Sequence, residues 1–159
     1  MNTSQPASSE PELIRTWVAR SLDEMPAIYS VRHEVFVVEQ GLTHTVVDEP
    51  DDRYSVHVLA AIGAEIVGVG RVTFIGDEAQ IAWVAVRKPY RRHGVGRAIM
   101  DLLLEASREQ TLLVSLNAQT HALHFYESLG FRPVGRRFHM SQIEHQHMVM
   151  ELPPPPAPA

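Results

Sequence analysis

The sequence predicts a mixed α/β (α+β) fold with a mostly antiparallel central sheet and flanking helices. Three observations lead there. The β-branched segments SVHVLAAI, EIVGVGRVTFI and EAQIAWVAV follow one another across turn signals at Gly63 and at Gly76-Asp77, as the strands of an antiparallel meander do. A one-sided apolar pattern over residues 93–109 then marks a helix. Strand and helix patterns alternate after it, giving the order β-α-β-β-β-α-β-α-β-β.

The elements follow in chain order. The first eleven residues are polar and rich in Ser and Pro, and are expected to be disordered. Leu13, Ile14, Trp17 and Val18 predict a short strand. Ser21 with Glu24 three residues later has the form of a capping box, and Ile28, Val31, Val35 and Val38 continue a helix at helical spacing, with Pro26 as an alternative start. The segment HTVVDEPDD is a polar, acidic loop before the meander. In the helix after the meander, Val95, Ala98, Ile99, Leu102, Leu103 and Ala106 share a face. TLLVSLN is a buried strand. Thr120 is placed to cap a helix carrying Leu123, Tyr126 and Leu129, which Gly130 ends. FRPVG and HQHMVMEL supply the last two strands, and PPPPAPA forms an extended polyproline tail. The expected organisation is one domain over residues 12–152, between a disordered segment at 1–11 and a Pro-rich disordered tail at 153–159.

Composition narrows the function. With 159 residues and 45% hydrophobic content the chain suits a single ordinary core. A formal charge of -5 argues against general nucleic-acid binding, which leaves a basic footprint over the domain. Cysteine is absent, so disulfides, thiolate metal sites and a Cys nucleophile are excluded. No stretch reaches the length of an apolar membrane span, and the N-terminus lacks the pattern of a signal peptide, so a soluble, cytoplasmic protein is expected.

One stretch stands against the acidic whole. In VAVRKPYRRHGVGRA, five of the fourteen Lys and Arg residues fall within eleven positions around a G-x-G. The strand ends near Val86, Pro89 breaks it, and a helix starts within a few residues, so the first free N–H groups of that helix lie in the loop and need acceptors. Gly94 and Gly96 let the backbone turn and let a ligand approach, while the helix dipole and the arginines favour an anion such as a pyrophosphate.

Arg91-Arg92-His93-Gly94-Val95-Gly96 resembles the acyl-CoA signature of the GNAT N-acetyltransferase superfamily. Ala122-Leu123-His124-Phe125-Tyr126-Glu127-Ser128-Leu129-Gly130-Phe131 is similar to that superfamily's A-x-x-x-Y-E-x-x-G-F segment. Arg32, Val35-Phe36-Val37, Glu39-Gln40, His57-Val58 and Asn117-Ala118-Gln119 resemble its ElaA-like branch. The likeness spans residues 12–152. It implies a GNAT acyl-CoA N-acyltransferase fold and transfer of an acetyl group from acetyl-CoA to a primary amine, with no metal. The implied co-substrate site comprises Val84, Ala85, Val86, Arg91, Arg92, His93, Gly94, Val95, Gly96, Arg97, Asn117 and Tyr126. The strand ending at Val86 is expected to splay from TLLVSLN, so that the CoA arm lies in the gap and the Val84 N–H faces the acetyl carbonyl.

Tyr126 matches the family's general acid. Gln80 stands where some members carry a glutamate, and an amide cannot take a proton at neutral pH. That leaves the base unassigned by motif: Glu39, Glu34 and His57 are candidates by type, directly or through a water chain, and the resemblance favours Glu39, which follows the helix that borders the acceptor cleft in this family. His145 occupies a position where the ElaA-like branch often has histidine, although Met140 and Ser141-Gln142 depart from that branch's usual approach to it. The pairs His121/His124 and His145/His147 lack a nearby carboxylate cluster and read better as surface residues than as metal ligands. The acidic residues Asp48, Glu49, Asp51 and Asp52, if they rim the cleft, would attract a cationic amine; a solvated loop is the simpler reading. The expected partners are acetyl-CoA and an amine acceptor, with no nucleic acid and no membrane; a homodimer is compatible with the chain. Two other readings stay open: a non-catalytic acyl-CoA sensor, and an acyl-homoserine-lactone synthase, whose related fold Arg32 and Val35-Phe36-Val37 weakly resemble.

Overall fold

A computed structural model describes residues 13–42, 46–154 and 157–158. The expectation of disorder at residues 1–11 lies outside them, as do parts of the acidic loop and of the tail. The strands are β1 (Ile14–Val18), β2 (Val56–Ile62), β3 (Glu65–Ile75), β4 (Glu78–Val86), β5 (Leu113–Gln119), β6 (Arg132–Pro133), β7 (Phe138–Met140) and β8 (Ile143–Glu151). The helices are α1 (Met25–Arg32), α2 (Val95–Arg108) and α3 (Leu123–Ser128). The sheet order is β1-β2-β3-β4-β5-β8-β6, with β7 paired to β8. Only β4 and β5 run parallel, because α2 crosses between them.

Two apolar layers cover the sheet. On one face Val58, Val72, Ile81, Val114, Leu116 and Met148 pack against Ile99, Met100 and Leu103 of α2. On the other, Leu59, Val69 and Ala85 pack against Met25, Ile28, Val31 and Val35. The alternation of buried side chains along β2 to β4 thus sorts each strand's residues between the two layers. Gly68 and Gly70 let α2 lie close to β3: a Cβ on Gly68 would meet Ile99 Cδ1 at 2.7 Å, and one on Gly70 would meet Ile99 Cγ2 at 2.8 Å.

Several local expectations are refined. The Ser21/Glu24 box is present, but it opens a 3₁₀ turn (Leu22–Glu24), and Pro26 sits in the first turn of α1 behind it. The helix does not continue regularly to Val38. From His33 to Glu39 it widens into a π-helix, with Gln40 N–H bonded to the Val35 carbonyl at 3.2 Å, so the apolar phase slips and Val38 is exposed. Thr120 does not cap α3; it begins a 3₁₀ turn (Thr120–Ala122) that leads into the helix. Strand β7, which the apolar pattern of the chain did not mark, forms a hairpin with β8.

Candidate active site

The parallel pair β4 and β5 is hydrogen-bonded only from Glu78↔Leu113 to Ile81↔Leu116. Beyond that point the strands part, and Asn117 to Gln119 pair with β8 alone. The cause lies in β4. Between the pairs Arg71↔Ala82 and Val69↔Ala85, Trp83 and Val84 stand opposite the single residue Gly70, a β-bulge that bends the strand away. Trp83 takes φ 55°, a left-handed conformation that a bulky residue adopts only under constraint. The constraint is visible: the Arg32 guanidinium lies 5.1 Å from the centroid of the Trp83 ring, and Phe36 meets the ring edge-on at 5.1 Å.

Arg32 is itself fully buried and held by Asp52 through hydrogen bonds of 2.9 and 3.1 Å. Asp52 also accepts from Arg71 at 2.8 Å and from the Glu49 N–H at 3.0 Å, while Arg71 reaches Glu49 at 2.8 Å. Burial raises the Asp52 pKa, but the hydrogen bonds from Arg32, the Glu49 N–H and Arg71 outweigh it and draw the group down to about 2. The acidic stretch is therefore not simply a solvated loop. Asp52 is an internal brace, whereas Glu49 and Asp51 line the cleft.

At the same end of β4, the strand passes into α2 through the cationic loop. Gly94 is the N-cap of α2 with φ 87°, so no side chain caps the helix. Arg92 is also left-handed at φ 65°, which lets the loop fold back over the helix N-terminus. Gly96 gives α2 its approach to α3, since a Cβ there would lie 3.4 Å from Phe125 Cζ. The cations divide into two groups. Arg87 forms an ion pair with Glu34 at 2.9 Å and donates a hydrogen bond to Glu65 at 3.2 Å, while Arg91 donates to the Val86 carbonyl at 2.9 Å and to Glu39 in bidentate fashion at 2.5 and 2.6 Å. Lys88 acts electrostatically on Glu39, whereas Arg92 and Arg97 form no ion pair among the described residues, so their charge remains available to an anion.

A cleft of about 890 Å³ opens at the fork. Its lining includes Phe36, Trp83, Val84, Gln80, Asn117, Tyr126, His121, His145 and His147. Tyr126 is buried on α3, edge-on to Phe125 at 5.0 Å and to Phe131 at 6.0 Å, and burial pushes its hydroxyl up to about 12. That hydroxyl has no hydrogen-bond partner among the described residues. The fork thus brings together Val84, Asn117 and Tyr126, with the loop from Arg91 to Arg97 at the strand's end.

The acidic candidates for the base fall elsewhere. Glu39 lies against the loop rather than in the cleft lining, and hydrogen bonding from Arg91 holds its pKa below the usual carboxylate range. This placement argues against Glu39 as proton acceptor and makes it a holder of Arg91. Glu34 is spent on Arg87. His57 is buried, with Nε2 2.8 Å from the Asp52 carbonyl, and desolvation lowers its pKa. Among the described residues no group of three His, Cys, Asp or Glu could hold a metal ion.

A family profile described as Acetyltransferase (GNAT) domain matches residues 23–152. The chain belongs to the GNAT acetyltransferase family. Protein ElaA of Escherichia coli is 30% identical over 138 residues, spanning 83% of this chain and 90% of that protein. The uncharacterized N-acetyltransferase YjcF of Bacillus subtilis is 31% identical over 137 residues, covering 84% and 97% of the two chains. The crystal structure of E. coli ElaA superposes with a TM-score of 0.77 at 28% identity over 87% of this chain and all 100% of that one. An acyl-CoA N-acyltransferase from Pseudomonas aeruginosa shares the fold, with a TM-score of 0.72 at 22% identity over 87% of this chain and 99% of that one. Within the GNAT family this chain falls in the ElaA-like branch. The mostly antiparallel eight-stranded sheet with flanking helices is therefore that of a GNAT domain, as the two sequence signatures implied. No helix among the described residues is long and apolar enough to cross a membrane.

Proposed function

We propose that this GNAT domain is an N-acetyltransferase that moves the acetyl group of acetyl-CoA to a primary amine of a small molecule, by direct attack within a ternary complex. The observation that carries the reading is the fork. A bulge in the antiparallel β3–β4 ladder, where β4 also parts from its parallel partner β5, leaves main-chain groups of Trp83 and Val84 outside the β3 ladder, and beside them a helix N-terminus with unpaired arginines supplies an anion site. An extended, amide-bearing arm ending in a diphosphate matches both parts.

In this reading the N–H groups of Val95, Gly96 and Arg97, with the Arg92 and Arg97 side chains, hold the diphosphate, and Arg91 fixes the loop to Glu39 and Val86. The arm lies between β4 and β5, reaching Ala85, Val86 and Asn117. The Val84 N–H donates to the thioester oxygen, where negative charge grows as the amine attacks; a fixed donor there stabilises the transition state more than the ground state. Tyr126, neutral at working pH because its pKa is pushed up to about 12, donates its proton to the departing thiolate. The absence of cysteine favours a single transfer over an acyl-thiol relay. Aromatic walls at Phe36 and Trp83, with Glu49 and Asp51 at the rim, suit a small organic cation.

The test is CoA-thiol release from acetyl-CoA with a panel of primary amines, followed by mass spectrometry of the product. An N-acetylated amine formed at a rate well above the enzyme-free control supports the reading. Tight acetyl-CoA binding without acetylation of any amine replaces it with a sensor role.

A further inference from the structure

We propose that His145 is the general base of the transfer, its neutral imidazole taking a proton from the attacking amine at Nε2. The inference rests on the preceding reading of the cleft and supplies the group that reading leaves unnamed.

Position comes first. From the last pair of the parallel ladder, Ile81↔Leu116, both Val84 and Gln119 lie three residues further along their strands, and Gln119 is in register with His145 on β8. His145 therefore stands level with the bulge, on the wall of the fork opposite Val84. Because Gln80 pairs with Ser115, while Asn117 and Gln119 alternate with Ser115 on one face, the partner residues His147 and His145 share that face with Gln80. All line the cleft.

The tautomer follows from one contact. Nδ1 of His145 lies 2.7 Å from the Ile143 carbonyl, which can only accept, so Nδ1 carries the proton and Nε2 keeps its lone pair. Nε2 has no hydrogen-bond partner among the described residues. The ring stacks on Phe138 at 5.8 Å with 20° between planes, and the residue is 5% exposed, so the imidazole is fixed in orientation before any substrate arrives.

The neighbours are less suited. His147 Nδ1 lies 2.8 Å from Asn117 Oδ1, but an amide side chain can turn either oxygen or nitrogen to the ring, so its tautomer is not fixed. Glu49 is paired with Arg71, and Asp51 is exposed at the rim.

The amine nitrogen bonds to the thioester carbon while its proton passes to His145 Nε2. The C–S bond breaks, and the thiolate takes the Tyr126 proton. The imidazolium then returns a proton through water to the phenolate, leaving amide, CoA thiol and the starting enzyme.

Two measurements on the full chain decide it, with acetyl-CoA and with benzylamine and spermidine as acceptor probes. The first is the ring tautomer of His145 by ¹⁵N–¹H correlation with and without acetyl-CoA. Protonation at Nδ1 supports the proposal; protonation at Nε2 in the neutral ring overturns it, whether or not either amine turns over. The second is His145→Gln, expected to lower kcat by about 100-fold or more with calorimetric acetyl-CoA affinity within threefold of wild type. With kcat/KM taken against the free-amine concentration, so that protonation of the acceptor itself is removed, the remaining acidic limb should disappear, and added imidazole should partly rescue His145→Ala. The groups that share the cleft with His145 and could also shape the profile are His147, His121, Glu49, Asp51 and Arg71, with His139 and Glu144 on the β7–β8 hairpin beside it. If His147→Gln removes the limb while His145→Gln keeps both it and kcat, the assignment is wrong. A wild-type protein that shows no acetyl-CoA binding overturns the parent reading and this one together; binding and turnover with an unaffected His145→Gln overturns this one alone.

Discussion

Replacing Asp52 by Asn tests the brace that holds the bulge. The wild-type carboxylate titrates at about 2 in the folded protein against an ordinary 3.8, and each unit is worth about 1.4 kcal/mol, so the charge on Asp52 contributes about 2 kcal/mol of stability. The sign follows from the depressed pKa: the contribution is fully present above the unfolded value near 3.8 and is lost as pH falls toward 2. Asn costs more than that at neutral pH, because Arg32 and Arg71 are left as buried charges with no carboxylate between them. A loss of about 3–5 kcal/mol is expected. The assay is urea unfolding of both proteins from pH 7 down to pH 2.5, with intrinsic tryptophan emission as the probe, since Trp83 sits against Arg32. Wild type should lose stability through the acid range more steeply than Asp52→Asn, and the gap between them should narrow by about two thirds of that charge contribution by pH 2.5, the remainder being lost only at still lower pH. His57, whose burial lowers its pKa, adds a separate loss nearer neutral pH as it is forced to charge. A variant within about 0.5 kcal/mol of wild type at pH 7, with a parallel acid slope, would refute the brace.

Further outcomes follow from the same geometry. Tyr126→Phe should keep the fold and acetyl-CoA affinity while lowering kcat by about 10- to 100-fold, measured by thiol release; unchanged turnover removes Tyr126 from the chemistry. Arg92→Ala and Arg97→Ala should each weaken acetyl-CoA binding by about 10-fold, with a shallower dependence of affinity on salt than wild type, by calorimetry at two ionic strengths. Gly70→Ala should destabilise by about 1–3 kcal/mol in urea, because its Cβ would stand 2.8 Å from Ile99 Cγ2 and 2.9 Å from Leu103 Cδ1.

Much of the sheet was legible because its strands obey local rules. EIVGVGRVTFI and EAQIAWVAV coincide residue for residue with β3 and β4, since turn residues bound them and side-chain alternation fills both layers. The junction of β4 and α2 was legible too, because strand, proline, G-x-G and amphipathic helix are adjacent in the chain. What escaped was set at long range or by a small change of period. The π-helix at His33–Glu39 keeps a helical composition while shifting phase by one residue, and only the exposure of Val38 betrays it. The pairing of Glu39 with Arg91 joins residues 52 apart, so Glu39, picked out by its place after the helix that borders the acceptor cleft in the family, read as a free carboxylate. Asp52 looked solvated in its acidic run, because the two arginines that enclose it come from α1 and β3. The bulge at Trp83 carries no glycine to announce it. Its strain is held by the Arg32 and Phe36 contacts instead.

Amide ¹H–¹⁵N spectra recorded during an acetyl-CoA titration report whether the proposed site, the fork together with the α2 N-terminus, holds acetyl-CoA. Saturable shifts at Val84, Val86 and Gly94 to Arg97 are expected, with a single affinity matching calorimetry. Shifts confined to other surfaces, or none at millimolar acetyl-CoA, would contradict that site.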